Sequence, residues 1–77
     1  MLSGEAMSYE QLDFSTYCIG AIASRLGMAQ RDVFNALKNS GILDGYIIPA
    51  YDVLHTFGRD YIVDDLVGLM RERGVIA

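Results

Sequence analysis

The chain has 77 residues, ten acidic against six basic for a net charge of −4, and 52% of it is hydrophobic. That length allows one small core with a thin stability margin, the kind of domain that gains from oligomerisation, metal or disulfides. Cys18 is the only cysteine, which excludes an internal disulfide; with His55 the only histidine, the four soft ligands usual for zinc are lacking.

Residues 1–7 read as a flexible lead-in with neither the positive start nor the long apolar stretch of a signal peptide, and Met7 could itself be an initiator. Residues 8–77 read as one helical domain. In MSYEQLDF, Ser8 as N-cap and Gln11 three residues on make a capping box, and Met7 can staple against Leu12. Leu12, Tyr17, Cys18, Ala21, Ile22 and Leu26 then suit one broad face of a helix over about 9–26, which Gly27 stops in the left-handed conformation. A second helix covers roughly 29–39, with Val33, Phe34 and Leu37 as its stripe and Gly41 just past its end. Its start is weak, because neither Met28 nor Ala29 is a good N-cap.

The stretch ILDGYIIPAYDVLHTFG is the least periodic. Asp44-Gly45 reads as a turn, Ile48 as extended because a proline follows, and Pro49 as the first residue of a short helical turn reaching His55. Thr56 or Gly58 caps a last helix over about 59–73. Asp60, Asp64 and Asp65 crowd its positive end and Arg71 and Arg73 its negative end, as the helix dipole favours. Ile62, Val63, Leu66, Leu69 and Met70 form its core face. Gly68 interrupts it, a cost of about 1 kcal/mol best tolerated where another backbone packs close. Gly74 ends it. The expected fold is all-α: a compact three-helix domain with an extra short helical turn before the last helix.

Three chemistries can be weighed on these residues. His55 could act as a proton shuttle with Asp52 to orient it, in a small enzyme. Its natural nucleophile, Cys18, lies mid-helix on the apolar face, so the expected role is structural, with the imidazole bonding a backbone carbonyl or closing the bend. Asp60, Asp64 and Asp65 could hold a cation with His55, but acids gather at helix starts for dipole reasons, and no metal is expected. No glycine-rich phosphate loop exists, and no cofactor is expected. Residues 22–42 resemble a helix-turn-helix whose reader would present Gln30, Arg31, Asn35 and Lys38 to DNA. The acidic balance and Asp32 in the same helix speak against nucleic acid.

Apolar residues, counted with glycine and without tyrosine, make up about 56% of the chain, against roughly 45–50% in typical soluble domains. A small core cannot hide that surplus, so some of it is expected to meet another subunit, as in a homodimer, or another protein. Tyr46, Tyr51, His55, Phe57 and Tyr61 are the expected interaction surface, since tyrosine is favoured at interfaces. No apolar run approaches the roughly 20 residues needed to cross a bilayer. A lone buried thiol with no export signal points to the cytoplasm.

The strings SGILDGYIIPAYDVLHTFGRDYIVDD and RERGVIA, with Phe14, Tyr17 and Cys18 upstream, resemble a family of short bacterial proteins known as domain of unknown function 3791. The family pattern is a Tyr-Asp-Val-Leu-His-Thr segment, a glycine, then Tyr-Ile-Val-Asp-Asp, here Tyr51 to Thr56, Gly58 and Tyr61 to Asp65. The likeness runs from about Ser8 to Val75. Two positions depart from it: Met28-Ala29, where members carry a polar cap, and Phe57, often polar in members. The resemblance implies no established activity. Family genes often neighbour those of ADP-ribosyltransferase-like proteins, which implies a non-enzymatic interaction module, an antitoxin-like or regulatory partner of such an enzyme.

Overall fold

The computed structural model describes residues 8–76. In chain order they form α1 (Tyr9–Leu26), α2 (Gln30–Asn39), a π-helical turn (Leu43–Ile47), α3 (Tyr51–Leu54) and α4 (Arg59–Glu72), with no strand among the described residues. The architecture is all-α, three main helices with a short helical turn before the last.

Both ends of α1 are set by local chemistry. The Ser8 hydroxyl accepts from the Gln11 N–H at 3.1 Å, and the Gln11 side chain accepts from the Ser8 N–H at 2.9 Å, so two orphan donors are satisfied reciprocally. Gly27, at φ 66°, ends the helix, and the N–H groups of Gly27 and Met28 both close on the Ala23 carbonyl. The buried face is not quite the one expected. Leu12 and Tyr17 are 51% and 43% exposed, while Phe14 and Ser15 are buried. Steps of three and four from the fully buried Cys18 lead to Phe14, Ser15, Ala21 and Ile22, and Leu12 and Tyr17 fall off that stripe. Ser15 tolerates burial because its hydroxyl donates to the Gln11 carbonyl at 2.8 Å. The lead-in and the Met7 staple lie outside the described residues.

Helix α2 has Ala29 as its N-cap, whose extended backbone carries no side-chain cap bond. Val33 and Leu37 are buried and Ala36 half-buried, whereas Phe34 points outward and is 41% exposed. A helix of this length docked along one side has room for the 33–36–37 stripe only.

The corner that follows departs most from expectation. Gly41, at φ 82°, turns the chain out of α2. The Ile48 N–H then bonds the Leu43 carbonyl at 3.1 Å, an i→i+5 spacing that makes a π-helical turn. Asp44-Gly45 lies inside that turn, and Gly45 is not among the glycines with positive φ. Ile48 is helical (φ −70°, ψ −52°), not extended. The restriction before proline is a bias, and here burial overrides it, because Ile42, Leu43 and Ile47 all enter the core. Gln11 Nε2 also pins the Ile48 carbonyl at 3.2 Å. Helix α3 therefore begins at Tyr51, two residues after Pro49.

Gly58 is the N-cap of α4 and offers no side chain for the purpose; the Thr56 hydroxyl instead donates to the Val53 carbonyl at 2.6 Å. At the other end the Gly74 N–H bonds Arg71 and the Val75 N–H bonds Met70, a Schellman stop with Gly74 at φ 73°. Gly68 is not there to admit a neighbouring backbone. A Cβ built on it meets nothing within 4 Å.

Helix α1 packs against both α2 and α4. Ile22, Leu37, Ile42, Ile47, Leu66 and Met70 are fully buried between them, each contributing about 1.5–3 kcal/mol of transfer free energy. Val67 joins them, while Leu69 is half-buried. Two arginines lash the helices together. Arg25 of α1 reaches Asp64 at 2.6 Å and Asp60 at 3.6 Å on α4. Arg73 donates to the Ser40 carbonyl at the end of α2 at 2.7 Å. The radius of gyration, 11.9 Å, is close to the roughly 11 Å of a compact domain this size.

Candidate functional site

On α1, the positions Glu10, Asp13, Phe14 and Tyr17 follow the i, i+3, i+4, i+7 spacing of a single helix face. On α3 and its end, Tyr51 and His55 stand four apart. The corner brings the two faces together. Phe14 meets Tyr51 edge-on, centroids 5.5 Å apart and planes at 71°, and lies 6.2 Å from Tyr17. Tyr51 in turn stacks on His55 at 4.6 Å and 15°. These six side chains line an open groove of about 260 Å³. Its floor and walls are aromatic, and its edge on α1 carries two carboxylates.

His55 is thus exposed at the rim, with its ring against Tyr51. The expected bond from its imidazole to a backbone carbonyl is not made with any described residue, because the stack orients the ring instead. The Thr56 side chain, with the local backbone bonds, ties off the bend. Among the described residues no side chain is hydrogen-bonded to His55 to activate it as a base. Cys18 is fully buried, and burial pushes its thiol up to about 12, which keeps it protonated and inert.

Four of the five expected interaction residues divide into two patches. Tyr51 and His55 belong to the groove. Phe57 and Tyr61, 41% and 57% exposed, pack ring on ring at 4.6 Å beside the start of α4. Tyr46 is half-buried, and its hydroxyl donates to Asp65 at 2.6 Å. That bond, helped by burial and by the nearby charges of Asp65 and Tyr61, raises its ionisation to about 12. Glu10, Asp13, Phe14 and Tyr17 were not singled out as site residues. Their helical spacing was visible, but nothing local says which remote segment closes over it.

The acidic side chains at the start of α4 are engaged inside the protein. Asp60 and Asp64 converge on Arg25, and Asp65 accepts from Tyr46. Among the described residues no three His, Cys, Asp or Glu side chains gather as a cation site. Gln30, Arg31, Asn35 and Lys38 are all exposed on α2. Lys38, however, is paired with Asp44 at 2.9 Å, and Asp32 shares the helix. No helix among the described residues is long and apolar enough to cross a membrane.

Fold and site together define a small all-α domain with an aromatic, acid-edged groove at one corner. The chain belongs to the family described as "Protein of unknown function (DUF3791)", whose model matches residues 13–73. The matched span takes in the π-helical corner, α3 and both lashing arginines. No curated protein and no solved structure matches the chain.

Proposed function

We propose that this protein is a non-enzymatic protein-interaction module that docks through the groove between α1 and α3. The observation that carries the reading is the cluster of Phe14, Tyr17, Tyr51 and His55, rings in mutual contact at a surface edged by Glu10 and Asp13. Rigid aromatic side chains give contact area at low entropy cost and dominate binding energy at interfaces. The acids at the edge steer encounter toward a basic partner. A regulatory or antitoxin-like partnership with an ADP-ribosyltransferase-like enzyme, which the family resemblance implies, is one role such a surface would serve. An exposed Phe57–Tyr61 pair offers a second contact, to the same partner or to a second copy of the chain.

The test is a pull-down from cells that make the protein naturally, comparing the native chain with Tyr17→Ala/His55→Ala and with Phe34→Ala on the far helix. We expect a specific protein to be recovered by the native chain and by F34A, and lost with the double variant. Recovery of nothing specific, or equal recovery by all three, would overturn the reading.

Two other readings are weaker. Helix α2 as a DNA reader would have Arg31 as its one cation without an ionic partner among the described residues. An enzyme centred on His55 has the exposed imidazole and the groove, but among the described residues the chain's one thiol, Cys18, is buried and protonated rather than activated beside it.

A further inference from the structure

The groove combines its aromatic packing with two carboxylates that hold no donor among the described residues. Asp44, Asp60, Asp64 and Asp65 each already hold a donor from this chain, namely Lys38, Arg25 or Tyr46. Glu10 and Asp13, like Asp32, Asp52 and Glu72, hold none among the described residues, and of these exposed acids Glu10 and Asp13 are the two that line the aromatic groove. The walls differ in plane, with Phe14 and Tyr51 at 71° and Phe14 and Tyr17 at 31°, so they form a corner rather than a flat patch.

Carboxylates beside an exposed aromatic ring, here Tyr17, are complementary to a cation, through charge on one side and the ring quadrupole on the other. At about 260 Å³ and open to solvent, the groove lies below the roughly 300–1,000 Å³ of sites that enclose a whole small molecule. One side chain fits it better. A guanidinium suits it more than an ammonium, because it is planar, weakly hydrated, stacks on rings and offers several donors to two carboxylates at once.

We propose that the groove is an anchor site for an arginine side chain presented by a basic segment of the partner, with the exposed Tyr17 ring as its stacking face, Phe14 and Tyr51 as the packed wall behind it, and Glu10 and Asp13 as its acceptors. This rests on the interaction reading above and specifies the chemistry of the partner at that surface.

The probe is N-acetyl-arginine amide, titrated into the full chain and followed by backbone amide shifts in NMR. N-acetyl-citrulline amide serves as the neutral isostere. We expect saturable shifts confined to the residues around the groove, with citrulline at least tenfold weaker. Two exposed ion pairs, each of modest strength, predict that Glu10→Gln/Asp13→Asn weakens arginine binding roughly fivefold. Both positions are exposed and without a partner among the described residues, so the double variant should keep the native spectrum elsewhere. Equal binding of citrulline, shifts centred away from the groove, or an unaffected double variant would overturn the proposal. So would the absence of any saturable shift. If the pull-down partner still depends on Tyr17 and His55 while the arginine probe fails, the interaction reading stands and the arginine anchor falls.

Discussion

Tyr46 is the side chain whose chemistry is most altered by the fold. Its hydroxyl donates to Asp65 at 2.6 Å and ionises only at about 12, with the Asp65 bond as the largest cause and burial next. A phenol whose folded pKa is raised contributes stability that is fully present below the unfolded value near 10. That contribution is lost as pH climbs through the folded value. We expect Tyr46→Phe to lower the unfolding free energy by about 1 kcal/mol in urea titrations near neutral pH. The difference from native should shrink between pH 10 and 12, and ultraviolet titration should lose its highest tyrosine step. An unchanged titration would show that the Asp65 bond is not held in solution. The sequence places Tyr46 on the expected interaction surface; the half-buried position it takes depends on a partner 19 positions away that has no local signature.

At the scale of the elements, legibility followed the range of the forces involved. Both ends of α1 were readable because the Ser8–Gln11 box and Gly27 act within a single turn. The π-helical corner was not, since a bias before Pro49 competes there with burial of Ile42, Leu43 and Ile47 and with a bond from Gln11, 37 residues upstream. The groove escaped in the same way. Its two halves each carry a regular spacing, but their meeting depends on that corner. Two helices are also built below their potential. Ala29 has N-cap backbone geometry without a capping side chain (φ −67°, ψ 144°), so Ala29→Asp should stabilise by about 1 kcal/mol. Gly68→Ala should add up to about 1 kcal/mol, because the new methyl enters open space inside α4. Thermal melts of each variant and of the pair test this, and additive upward shifts are expected. A destabilised G68A would mean that a neighbour approaches α4 more closely than the described contacts allow.

For the molecule as a whole the margin is small. At about 0.05–0.15 kcal/mol per residue, a domain of this size has roughly 4–12 kcal/mol in total. Leu66 is fully buried where α4 enters the core, and Leu66→Ala should cost about 2–5 kcal/mol, a large share of that margin. Arg25→Ala, which removes the exposed bridges to Asp60 and Asp64, should cost less than about 1 kcal/mol despite their short distances. Circular dichroism melts that ranked these two in the opposite order would place the cohesion of the fold in its surface charges rather than its core.

The packing of α4 on α1 also bears on how the chain is made. The first helix emerges with a core face that includes Phe14, Cys18 and Ile22, yet part of what covers that face lies on a helix that ends at Glu72. At about 5–20 residues per second, the gap from the end of α1 to the end of α4 takes on the order of seconds to synthesise. Helices form in microseconds or less, so α1 and α2 have ample time to meet first. Their apolar faces then wait, incompletely covered, for the ribosome to deliver the last helix. During that interval the nascent chain has to be kept from its neighbours.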